Sequence, residues 1–80
     1  MTVRYFAAAR SAAGSDLETL TLGAGATVAE LVGQLAGRGK ELAQVLTRCS
    51  YLCDGMAVRD PQMVLSADQT IDVLPPFAGG

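Results

Sequence analysis

The residues with the most chemical potential are the last six, Pro75-Pro76-Phe77-Ala78-Gly79-Gly80. A carboxyl group on Gly80 would be anionic at neutral pH, with a pKa of ~3.5. Its carbon carries no side-chain hindrance. An ATP-using partner could convert it to an acyl-adenylate, which a sulfide or thiol could then attack. Gly79 and Gly80 lack Cβ atoms and can enter a channel too narrow for any other residue. Pro75-Pro76 favours a stiff, extended exit, so the tail is expected to project from the body of the protein. A frayed end of small residues would also read as Gly-Gly. The strand and diproline ahead of it are what favour the reactive tail.

Cys49 and Cys53 are the other candidate nucleophiles. In an extended strand, residues four apart lie ~13 Å from each other at ~3.3 Å per residue, and a disulfide needs Cα atoms within ~7 Å. The pair is therefore expected to be two buried, reduced thiols, with a persulfide or acyl-transfer role as the alternative. Two ligands do not close a metal site, and an iron–sulfur cluster needs four thiolates. The chain has no His, which excludes His triads and His–metal chemistry. Its acidic residues are spread singly, with no carboxylate pair at general acid–base spacing. Asp54, followed by Gly55, reads as a turn former.

These groups must be positioned by one small domain of 80 residues. A chain of this size buries only about 60% of its unfolded surface. Half of the residues are apolar, but many are Ala, so the core is thin and leaves no room for a closed catalytic cavity. The net charge is −2. One Lys, Lys40, and five scattered Arg give no basic footprint for nucleic acid. No apolar run approaches the ~20 residues of a membrane span. The start, Met1-Thr2-Val3-Arg4-Tyr5, lacks the features of a signal peptide. A cytoplasmic protein is the expectation.

Thr2 to Ala8 reads as a strand, with Val3, Tyr5 and Ala7 on one face and Arg4, Phe6 and Ala8 on the other. Arg10 to Ser15 reads as a loop with at most a helical turn, and Leu17 to Leu22 as a second strand. Thr27-Val28-Ala29-Glu30 matches a capping box. Val28, Leu31, Val32 and Leu35 follow at helical spacing, and Gly37 and Gly39 end the helix. Glu41 to Leu46 predicts a shorter second helix. Ser50 to Cys53, the hairpin signal Asp54-Gly55, and Met56 to Val58 form a pair of short strands. Met63, Val64 and Leu65 are expected to cap the core. Thr70 to Leu74 is the last strand, with Ile71 and Val73 inward and Asp72 and Leu74 outward; Pro75-Pro76 ends it, because proline cannot donate to the ladder. The order predicts an α+β fold of the β-grasp kind: a mixed sheet of about five strands, one main helix and a short second helix, with first and last strands side by side in the middle. Residues 1–74 form the domain and 75–80 the extended tail. Strand parity leaves Phe6 and Leu74 exposed on neighbouring strands, rimmed by Arg4, Asp72 and Arg59, which suggests an interface. The opposite phase, with Phe6 in the core and Tyr5 exposed, stays open.

The opening Val3-Arg4-Tyr5-Phe6-Ala7-Ala8-Ala9-Arg10, the closing Asp72-Val73-Leu74-Pro75-Pro76-Phe77-Ala78-Gly79-Gly80 and the length resemble the molybdopterin synthase small subunit (MoaD) family over essentially the whole chain. The resemblance implies a ubiquitin-like β-grasp fold and a sulfur-carrier role. In that family an E1-like, MoeB-type enzyme adenylates the terminal glycine using ATP, and the glycine becomes a thiocarboxylate. The tail inserts into a MoaE-type large subunit and donates sulfur to cyclic pyranopterin monophosphate for the molybdenum cofactor, in a complex of two small and two large subunits. Carried over, Gly80 bears the thiocarboxylate, Gly79 threads the channel, and Phe6, Arg10, Leu74, Pro75, Pro76, Phe77 and Ala78 meet the partner. No cofactor is bound by the chain itself; ATP belongs to the activating enzyme. The sequence departs from common members at Leu74, where an aromatic is frequent, and at the small Ala57. Two alternatives remain. One is a sulfur carrier for thiamine thiazole or cysteine synthesis; the other is a ubiquitin-like modifier or passive binding module.

Overall fold

The computed structural model describes residues 1–76. In chain order the elements are β1 (Thr2–Tyr5), α1 (Ala7–Ala13), β2 (Leu17–Thr19), α2 (Val28–Ala36), α3 (Lys40–Leu46), β3 (Ser50–Cys53), β4 (Met56–Ala57) and β5 (Thr70–Leu74). The five strands make one mixed sheet in the order β2-β1-β5-β3-β4. The first and last strands are its centre, paired in parallel with Val3 opposite Ile71 and Tyr5 opposite Val73. All other pairings are antiparallel. This is the β-grasp arrangement that the element order predicts.

The inward residues form the core. Val3, Ile71 and Val73 are fully buried and Tyr5 is 2% exposed. This fixes the phase of β1, with Tyr5 inside. Against this face pack Val28, Leu31 and Leu35 of α2 and Leu42 and Leu46 of α3. The start of α2 shows the hydroxyl half of the capping box: the Thr27 hydroxyl accepts the Glu30 backbone N–H at 3.2 Å. The β3–β4 hairpin turns on Asp54 and Gly55, both at positive φ (49° and 83°), as its two-residue loop requires.

Three expectations change. β1 stops at Tyr5, and Ala7–Ala13 is a helix instead of strand and loop. Alanine is the strongest helix former and a poor strand former, and a run of alanines carries no inside–outside alternation, so propensity wins. Gly14, at φ 80°, closes the helix with its N–H on the Arg10 carbonyl. The described residues thus form three helices. β2 is shorter than Leu17–Leu22: its register ends with Thr2 opposite Thr19, and beyond it only Leu20 is still bonded, its N–H donating to the Met1 carbonyl at 2.8 Å and its carbonyl accepting from the Met1 amino group at 2.7 Å. Leu20 and Leu22 still pack against the core from the loop. Of the three residues expected to cap the core, Leu65 is buried and Met63 half-buried, but Val64 is 59% exposed.

Candidate functional site

β5 delivers the chain to the site. It is the central strand of the sheet, hydrogen-bonded on both flanks, to β1 and β3. The Phe6 N–H on the Val73 carbonyl at 3.2 Å extends the β1 side of the ladder just past β1. Leu74 pairs with Ser50. Pro75, which is buried, and Pro76, which is exposed, follow at once. Phe77, Ala78, Gly79 and Gly80, to which the sequence assigns tail contacts, threading and the reactive carboxyl, lie outside the described residues.

The exit sits where β1 gives way to α1, and α1 packs on α3 and on β5. A groove of about 550 Å³ opens there between Ala8, the end of α3 at Val45, Thr47 and Arg48, and Pro75 and Pro76. A second hollow of about 350 Å³ brings Arg10 of α1 beside Phe6, with Arg4, Asp16 and Leu17. Phe6, Arg10, Leu74, Pro75 and Pro76 are therefore gathered at one end of the sheet, from the β1–α1 junction, the first helix, and the end of the last strand with the two residues after it.

The helices cover one side of the sheet; the other carries Arg4, Phe6, Asp72 and Leu74. Phe6 and Leu74 are half-buried and Leu17 is 55% exposed. Arg4 and Asp72 do not rim this face but pair across its middle, opposite each other on β1 and β5. Arg4 Nε donates to Asp72 Oδ1 at 2.6 Å and Nη2 to Oδ2 at 2.8 Å. The carboxylate raises the guanidinium pKa further above its ordinary value. Asp72 is only 5% exposed. The guanidinium also lies 5.7 Å from the Phe6 ring centre, a cation–π distance. Parity alone points Asp72 outward. Its burial comes from Arg4, 68 residues away in sequence. Opposite charges at the third position of both central strands were the available signal.

At the β2 edge, the Glu18 carboxylate accepts from Tyr5 Oη at 2.7 Å and from Arg38 Nη1 at 2.6 Å. Arg38, first, and the Tyr5 hydroxyl hold the Glu18 carboxyl below its ordinary pKa, against a smaller opposing effect of burial. Burial pushes the Tyr5 phenol well above its usual range. This network ties the α2–α3 connection to the sheet.

Cys49 and Cys53 are both unbridged. Cys49 lies just before β3 and its thiol donates to the Val45 carbonyl at 3.2 Å. Burial pushes both thiols upward, with Asp54 adding to the rise at Cys53. Neither is poised as a thiolate. Among the described residues, no cluster of three His, Cys, Asp or Glu could hold a metal ion. No helix among them is long and apolar enough to cross a membrane.

A three-helix, five-strand mixed sheet with its termini-proximal strands parallel at the centre defines a ubiquitin-like β-grasp protein. The chain belongs to the ThiS family, whose model matches residues 3–80. It is 31% identical over 80 residues to a molybdopterin synthase sulfur carrier subunit of Chlamydomonas reinhardtii, covering 98% of this chain and 95% of that one. Among solved structures it resembles a putative molybdopterin converting factor subunit 1 of Pyrococcus furiosus, with a TM-score of 0.85, 25% identity and 95% of each chain covered. SAMP1 of Haloferax volcanii shares the fold at a TM-score of 0.84 and 23% identity, over 99% of this chain and 97% of that one. So does a chain in a complex of subunits 1 and 2 of the molybdopterin-converting factor from Helicobacter pylori, at 0.68 and 22%, over 99% and 96%.

Proposed function

We propose that the protein is the sulfur-carrier subunit of a molybdopterin synthase. The observation that carries this reading is where the sheet releases the chain. The central strand β5 runs directly into Pro75-Pro76 beside the uncovered Phe6–Leu74 face. A carrier needs this combination: a body to be gripped and an arm held at a fixed place on it. The pathway comes from the near-full-length likeness to the Chlamydomonas sulfur carrier subunit.

On this reading the Gly80 carboxylate attacks the α-phosphate of ATP on an E1-like, MoeB-type enzyme, and pyrophosphate leaves. A sulfide-level nucleophile then displaces AMP and leaves a thiocarboxylate. The arm enters a MoaE-type large subunit, Gly79 and Gly80 passing where a Cβ would collide. Sulfur passes to cyclic pyranopterin monophosphate, and water restores the carboxylate. Phe6, Leu74, Pro75, Pro76, Phe77 and Ala78 dock on the partner, with Arg10 at the rim. The solved complex of the two converting-factor subunits supports a large-subunit partner for this fold.

The test is intact mass after incubation with the activating enzyme, ATP and a sulfur source. One oxygen of the C-terminal peptide is expected to be replaced by sulfur, and no such product under active conditions overturns the reading. Deleting Gly80 is expected to abolish loading and leave the unfolding temperature unchanged. Recovery of the chain with thiazole- or cysteine-forming enzymes would move it to another sulfur pathway. Recovery in isopeptide linkage to lysines would make it a modifier.

A further inference from the structure

We infer that the Arg4–Asp72 pair is a specificity element of the docking face, selecting a partner surface that is apolar around one hydrogen-bond acceptor placed over Arg4. The inference rests on the proposal that this face docks a partner subunit, and it begins from a count of donors. A guanidinium has five N–H groups. Asp72 takes one from Nε and one from Nη2. The remaining Nη2 hydrogen and both Nη1 hydrogens have no protein acceptor among the described residues. The Arg4 side chain is 51% exposed, whereas that of Asp72 is 8% exposed, so the carboxylate lies below and the spare donors face water.

The surroundings fix this donor set in place. Asp72 grips one edge of the guanidinium and the Phe6 ring lies 5.7 Å from its centre. Leu17 pairs with Arg4 on one side, and Leu52 pairs with Asp72 on the other. Leu52 in turn faces Ala57. The row across the uncovered face is thus Leu17, Arg4, Asp72, Leu52 and Ala57, apolar except for its balanced centre. A partner covering the row removes water from the three spare N–H groups. A wholly apolar partner would leave them unsatisfied, which penalises the complex; a carbonyl or carboxylate over Arg4 satisfies them. Because Asp72 already balances the charge, the partner needs an acceptor at that spot and not an acidic patch.

The experiment measures the affinity of the full-length chain for the molybdopterin synthase large subunit of the same organism by calorimetry. Three proteins are compared: the wild type, the double variant R4L/D72A, and R4K, which keeps the charge but loses the bidentate fork. The double variant removes donor and carboxylate together and strands neither, so it is expected to stay folded. It is expected to bind about tenfold or more weakly, with R4K intermediate. A pair that only supports the fold would shift the unfolding temperature and leave the affinity of the folded protein unchanged. If R4L/D72A binds within about twofold of wild type, or tighter, the inference is overturned. If that variant does not fold, R4K decides on the same criterion. Failure of the wild type itself to bind overturns the docking proposal and this inference with it.

Discussion

The two faces of the sheet are made from alternate residues of the same strands, yet they are governed by different terms. On the helix side, Val3, Tyr5, Ile71 and Val73 are excluded from water and held by packing. On the other side, Arg4, Phe6, Asp72 and Leu74 occupy the intervening positions with no helix above them. The first face belongs to the hydrophobic core, whose burial is the dominant favourable term in folding. The second carries apolar area and a charge-balanced pair whose full burial requires another molecule. Substitutions on the two faces should therefore separate stability from association.

The largest effect is expected inside. Leu35 is fully buried where α2 meets the core, and Leu35→Ala should lower the unfolding free energy by ~2–5 kcal/mol in a denaturant titration. A loss below about 0.5 kcal/mol would mean that the helix does not hold the inner face. Arg4→Leu alone is expected to lower the unfolding free energy in the same titration, because it leaves the Asp72 carboxylate without its donors; adding Asp72→Ala should recover much of that loss. Thr27→Ala removes the cap of the covering helix and should cost about 1 kcal/mol, with no change in partner affinity. Leu74→Ala should shift stability by about 1 kcal/mol or less while weakening association more than any inner-face change of equal stability cost. That contrast is read by titrating folded protein with the large subunit.

The smallest effect is a pH dependence on the inner side. The folded-state pKa of Glu18 is lowered, chiefly by Arg38. Its contribution is therefore present above the unfolded value of about 4.3 and is lost as pH falls through the lower folded value. Glu18→Gln should flatten the acid limb of the stability curve below that pH and leave the neutral region nearly level. An unchanged acid limb would show that the carboxylate is not held by Arg38 and Tyr5 in solution.

Much of the architecture was legible in order and parity. β3 and β5 fall at the bounds that their alternation and flanking turns predict, and the capping box marks the start of α2. The placement of first and last strands side by side in the middle followed from element order alone. The alanines of α1 were not legible as a helix, since they carry no periodic contrast and their outcome rests on propensity. The state of Asp72 was hidden for another reason. Parity gives direction, but burial on an uncovered face depends on which side chain lies beside it on the neighbouring strand. Among the candidate site residues, the sequence brought Phe6 and Leu74 together; Arg10 joins them only because α1 turns it back toward Phe6.

The adjacency of β1 and β5 makes completion of the body a late event in synthesis. β1 has no neighbour on its β5 side, and β3 none on its inner flank, until residues 70–74 have been made. A nascent chain cut short before that point lacks the central strand of its sheet. The centre of the sheet is thus closed by the last strand to be made.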